Sequence, residues 1–177
     1  MKLTWFGGTT IRVHIGGAIL VVDAESAPAW IDRTELESGA DYVVAGFGAT
    51  LPKVDPAQWK PRKPARLLDE GTDLPPVEVW KAGEGVLLVD AAGELPLLMV
   101  RGEVPPLARW AEAALIVLFG DGAALGRLGL AVLKQQPARL LALAGDEASV
   151  DTAIGTLREG LDGTGLVSLE AGLALEI

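Results

Sequence analysis

Few of the side chains that build nucleophiles or tight metal centres are present. The chain has one histidine, His14, and no cysteine. A thiolate nucleophile, a disulfide and a Cys-based zinc or iron–sulfur site are therefore excluded. A zinc site made from imidazoles takes two or three of them. His14 shares a strand face with Thr10 and Arg12, and nothing in the spacing sets a nucleophile beside it for general-base work. What is left is oxygen chemistry. Asp23, Glu103, Asp121 and Asp146 each follow a predicted strand, and carboxylates with water can hold Mg²⁺ or Ca²⁺. Turn and cap roles compete for the same residues. Asp121 precedes a predicted helix, where its carboxylate would accept from first-turn N–H groups.

Two glycine loops are the other chemical candidates. Gly46-Phe47-Gly48 follows a predicted strand, and its bare backbone N–H groups could hold an anion, although a tight turn is the commoner use. Gly120-Asp121-Gly122 stands between a strand and a helix. Its next glycine, Gly126, comes one residue too late for Gly-x-Gly-x-x-Gly, and no acid-ended strand lies about 20 residues on, as a dinucleotide fold requires. A strand-to-helix turn explains it better.

The elements that must position these residues are short. Period-2 alternation predicts strands over residues 2–6, 10–15 and 18–22, with Gly16-Gly17 as a hairpin. A short helix is expected over 32–36 and a buried strand of Tyr42, Val43 and Val44. Prolines keep residues 53–64 extended. Further strands are expected over 65–68, 77–81, 86–89 and 97–100, with residues 69–76 as a turn-rich connection. A helix over 108–114 and a fully buried strand over 115–119 follow. Leu125, Leu128 and Val132 mark one helix, which Pro137 ends. After a strand over 139–143, Ser149 caps a second helix, with Val150, Ile154, Leu157 and Leu161 at i, i+4, i+7 and i+11. Leu173, Leu175 and Ile177 close the chain as an alternating strand.

The 177 residues suit one domain, 1–177, long enough to bury roughly two-thirds of its unfolded surface. Half the residues are hydrophobic and mean hydropathy is +0.34, yet no run approaches the ~20 apolar residues of a membrane helix. With no signal-peptide core at the start, the expectation is a soluble, cytoplasmic protein. Net charge is −9, which argues against nucleic acid as a partner. Residues 53–66 nevertheless hold five of the 15 basic residues beside one acid, either solvated surface or a patch for an acidic or phosphorylated ligand.

The opening MKLTWFGGTTIRVHIGGAILVVDAE resembles that of the metallo-β-lactamase superfamily, above all its ascorbate-6-phosphate lactonase-like hydrolases. DYVVAGFGATLP, GVLLVDAAGELPLLMVRGE and IVLFGDGAALGRLGLAVLKQQPARLLALAG continue the pattern over essentially the whole chain. The resemblance implies two sheets packed face to face with helices outside, a four-layer αββα sandwich. It also implies lost chemistry. Gly8 stands at the family's early histidine; Gly46, Gly48, Thr50 and Leu51 replace its His-x-His-x-Asp-His ligands; Ala144 replaces its last histidine. Glu103, at the bridging aspartate, is the one oxygen ligand left. Glycine, alanine and leucine offer no side-chain lone pair, and one carboxylate cannot hold zinc or activate its water. No cofactor and no metal are expected.

The functional expectation is a metal-free, non-catalytic binding or oligomeric protein with a small-molecule or protein partner. Asp23, Trp30, Phe47, Trp59 and Asp121 are the candidates to line its pocket. The alternative is a residual hydrolase, carboxylate-based or without metal, acting on a small substrate, phosphorylated or not.

Overall fold

Alternation builds the first sheet as its spacing predicts. In the computed structural model, which describes residues 1–62 and 77–177, β1 (Lys2–Gly7), β2 (Thr10–Ile15) and β3 (Ala18–Val22) run antiparallel. β4 (Tyr42–Val44) adds parallel to β3. The last strand of the chain, spanning Ala174–Glu176, pairs with the outer edge of β1. The strand expected over 65–68 and the connection over 69–76 lie outside the described residues.

The second sheet begins with β5 (Glu78–Gly83), β6 (Val86–Asp90) and β7 (Leu97–Val100), again antiparallel. β8 (Leu115–Phe119), β9 (Leu140–Ala144) and β10 (Gly165–Ser168) then run parallel to β7, in the order β10-β9-β8-β7-β6-β5. The final strand, in the first sheet, is thus β11. The molecule is mixed α/β, with two sheets and three α-helices among the described residues.

Pleating explains why β8 carries five apolar residues in a row. Leu115, Val117 and Phe119 join a core shared with Leu3, Ile11, Val13 and Leu20 of the first sheet. Ile116 and Leu118 point the other way, into a cluster with Leu125, Leu128 and Val132 of α2 (Gly122–Leu133) and Val150 and Leu157 of α3 (Glu147–Leu157). A strand buried on both faces cannot afford a polar position. On the other side of the first sheet, Val21 packs on Leu36 of α1 (Arg33–Glu37). Arg12 holds α1 there, its guanidinium donating to the carbonyls of Glu35, Leu36 and Ser38.

Several local expectations need correction. Val43 is 52% exposed, because the pleat turns it away from the shared core that its neighbours Tyr42 and Val44 join, at the edge of the sheet. Residues Arg109–Ala113 form a tight 3₁₀ turn, not an α-helix, closed by i→i+3 bonds from Ala111 and Ala114. α3 is capped by Asp146, whose carboxylate accepts from Ser149 N at 2.8 Å, so Ser149 lies inside the first turn. Ala153 replaces Ile154 on its buried face, and Ile154 is 37% exposed. α2 stops at Leu133, well before Pro137. β10 carries no alternation strong enough to predict it. Among the described residues, no helix is long and apolar enough to cross a membrane.

An ion pair absent from the sequence reading pins the crossing segment to the second sheet. Asp90 is fully buried. Its Oδ2 receives Arg62 Nε at 2.8 Å and Arg62 N at 3.2 Å, and its carbonyl receives Arg62 Nη2 at 2.7 Å. Glu78 adds a second carboxylate 3.5 Å from the same guanidinium. Beside this anchor Trp59 packs edge-on against Trp110 and Trp80, at 5.0 and 6.0 Å between ring centroids.

The helix pair rests on a glycine stripe. A Cβ at Gly122 would lie 2.7 Å from Thr152 Cβ, and one at Gly129 would lie 2.7 Å from the Leu157 methyls. Gly155, on α3, faces open space. Gly155→Ala should therefore stabilise by about 0.5–1 kcal/mol through helix propensity. Gly122→Ala should destabilise by about 1–3 kcal/mol despite the same propensity gain; urea unfolding reads both. Asp90→Ala, which takes the fully buried carboxylate of this pair away from a largely buried guanidinium, should cost about 3 kcal/mol in the same assay.

Candidate functional site

The parallel strands β7, β8 and β9 end together, and in such sheets the residues just past those ends line the ligand crevice. Here they are Arg101, Gly120 and Gly145-Asp146. Facing them from the first sheet are the β1–β2 turn (Gly7, Gly8, Thr9) and the segment after β3, including Ser26, Pro28 and Trp30. Together these residues enclose an open cleft of about 630 Å³, with Trp5, Phe6, Phe119 and Ala144 completing its walls. A second groove, sharing Trp5, Gly145, Asp146 and Ala171, runs on along α3 past Glu147 and Asp151.

The first-sheet side is fixed by one residue. Asp23 adopts the left-handed conformation, φ 55°, which aspartate tolerates better than most residues. Its N–H donates to Val44 O at 2.8 Å. Its carbonyl accepts from the Thr10 hydroxyl at 2.6 Å and from Ser26 N at 3.0 Å. Its carboxylate accepts from the Thr9 hydroxyl. Ser26 Oγ in turn accepts from Thr9 N at 3.1 Å, and Trp5 Nε1 donates to Gly8 O at 3.0 Å. The turn that carries Gly8 is held from both sides.

That network fills the space beside two of the positions singled out in the sequence. A Cβ on Gly8 would lie 2.5 Å from the Ser26 carbonyl, and one on Gly46 would lie 2.9 Å from Asp23 Oδ1. Both glycines also have positive φ, 54° and 121°, where a side chain is strained. Ala144 is buried at the cleft wall. Gly48 and Thr50 are exposed, and Leu51 packs partly against the shared core. Glu103 is exposed and lies outside the cleft lining.

The second-sheet side presents Arg101 instead. Its backbone N–H donates to Gly85 O at 3.0 Å, and its guanidinium lies 5.1 Å from the centroid of the Phe47 ring. Phe47 is 2% exposed and meets Phe119 edge-on at 5.7 Å, so it is the platform beneath the cation rather than a wall of the pocket. Two strands along on the same side, Asp146 is the acid. The Ser149 backbone N–H, and next the Ser149 side chain, hold its carboxyl below the usual aspartate range.

Of the pocket candidates, Trp30 lines the cleft, Asp23 braces it from behind and Phe47 supports Arg101. Trp59 lies in the tryptophan cluster on the other face of the second sheet. Asp121 is an exposed N-cap, accepting from Ala124 N at 2.8 Å. His14 is exposed far down β2 beside Lys2 and Glu176. The acids at strand ends do not converge: among the described residues no group of three or more His, Cys, Asp or Glu could share a metal ion. Sequence reasoning missed Arg101, Thr9 and Ser26. The available signal was a cation directly after the fully buried strand Leu97–Val100.

Comparison with protein-family models, curated proteins and solved structures finds no match to this chain.

Adding side chains at the glycine positions should therefore damage the turn. Gly8→Ala and Gly46→Ala are each expected to lose about 1–3 kcal/mol in thermal or urea unfolding. Gly48→Ala, where nothing lies within 4 Å, should fall within about 0.5 kcal/mol of the parent.

Proposed function

We propose that this chain is a metal-free, non-catalytic relative of the metallo-β-lactamase-fold hydrolases, built as a four-layer αββα sandwich, that binds a small molecule in the cleft between its sheets. The observation that carries the reading is the pair Gly8 and Ala144. Both stand where the resemblance expects imidazoles, and both line an open cleft. A shared core between the sheets, with apolar clusters on their outer faces, supports the sandwich.

The residues at the cleft do not fit the family's zinc. Gly8, Gly46 and Ala144 have no donor atoms, and the space a histidine at Gly8 or Gly46 would need is taken by Ser26 and Asp23. Asp146, the carboxylate that lines the cleft, has one oxygen engaged at a helix terminus. The cleft keeps what recognition requires: aromatic walls, two hydroxyls, one cation and one anion.

Element analysis of protein purified without chelator should find zinc, manganese and iron well below one ion per chain. Assays with lactones and phosphate monoesters should show no turnover above the buffer rate. Stoichiometric zinc or manganese, or hydrolysis abolished by a chelator, would refute the reading.

A further inference from the structure

We propose that the cleft selects a small aromatic monoanion, its negative group on Arg101 and its flat ring on Trp30. The inference rests on the cleft being a binding site, and adds the class of ligand. Three observations carry it. First, Arg101 lines the cleft and forms no ion pair among the described residues. The nearby acid Glu84 is engaged by Lys81 Nζ at 2.8 Å. A guanidinium held over a buried ring is pre-organised, and its planar fork matches a carboxylate. Second, Trp30 lines the same cleft and is 83% exposed, in a turn closed by Ile31 N to Pro28 O at 2.9 Å. An indole presented this way is a stacking surface for a ring. Third, Asp146 faces the same space from the end of β9. It stands two strands from Arg101, about 10 Å by strand spacing. One fixed anion against one cation favours a single negative charge on the ligand and repels a second.

The test is isothermal titration of the full chain with benzoate, benzyl alcohol and phenyl phosphate, at a pH where the phosphate is dianionic. Benzoate should bind roughly tenfold to a hundredfold more tightly than benzyl alcohol. Arg101→Gln should remove that preference while leaving the melting temperature unchanged, since the side chain is exposed. Trp30→Ala should weaken benzoate and benzyl alcohol alike. Asp146→Asn keeps a capping side chain and should selectively improve phenyl phosphate. Equal affinity for benzoate and benzyl alcohol, or benzoate binding unchanged in Arg101→Gln, overturns the anion assignment and leaves a binding cleft of another kind. No heat from any probe, with a dimer mass by light scattering, overturns it by making Trp30 a subunit contact. Release of phenol from phenyl phosphate would sink the non-catalytic reading, yet would support the anion assignment if Arg101→Gln abolished it.

Discussion

The loops at the cleft depend on the left-handed backbone of Asp23. One residue, placed where β3 ends, closes hydrogen bonds to Val44, Thr9, Thr10 and Ser26. It thereby joins the β1–β2 turn, the start of the segment leading to Trp30 and the end of β4. Left-handed backbone outside glycine costs on the order of 1–3 kcal/mol and persists only where its surroundings over-determine it. Four bonds to three separate segments do so. They also dictate composition nearby: Gly8 and Gly46 must be glycine, because Ser26 and Asp23 occupy the places of their side chains.

This changes what the glycines mean. In the sequence, Gly8 and Gly46 read as deletions, positions from which a donor has been subtracted. In the folded chain they are the complement of a hydrogen-bond network, because Ser26 and Asp23 lie where their side chains would be. A cage of imidazoles and a network of hydroxyls and carboxylate solve the same mechanical problem, which is to hold several loops together at the open end of two sheets. Metal binding contributes folding free energy when its ligands span separate segments. On the proposed reading, hydrogen bonds between Asp23, Thr9, Thr10 and Ser26 have taken over that mechanical role.

The scaffold was legible because its pattern is strong and local. Strict alternation in 10–15, the Gly16-Gly17 hairpin and the five apolar residues of 115–119 each allow one solution, and the structure adopts it. Where the physical cause is tertiary, the sequence reading failed. Val43 looks as buried as Val44, and it is exposed because it points to the outer face at the sheet edge while Val44 points into the shared core. Ser149 and Asp146 are both good caps, and the choice depends on where β9 stops. The site was harder still. Trp30 and Trp59 look alike in sequence, yet one lines the cleft and the other is half-buried beside Trp110 on the other face of the second sheet. Arg101 leaves no spacing signal, because its platform, Phe47, lies 54 positions earlier in the sequence.

The position of Phe47 ties the two sides of the cleft together. It belongs to the loop after β4 in the first sheet, yet its ring contacts Phe119 and Arg101 of the second. Gly46, immediately before it, is pressed against Asp23. The Asp23 network therefore sets the path of the chain that delivers Phe47, and Phe47 sets where the Arg101 guanidinium rests. A buried aromatic ring is a stiff part: its packing neighbours leave it one low-energy orientation. The cation at the cleft is thus positioned by the opposite sheet, through a ring, and not by a carboxylate that would neutralise it. An arginine steadied by an aromatic face keeps its full charge and its outward N–H groups for something else. That is the arrangement expected of a recognition element, and it differs from the ion-paired Arg62, whose charge is spent on Asp90 to hold the fold.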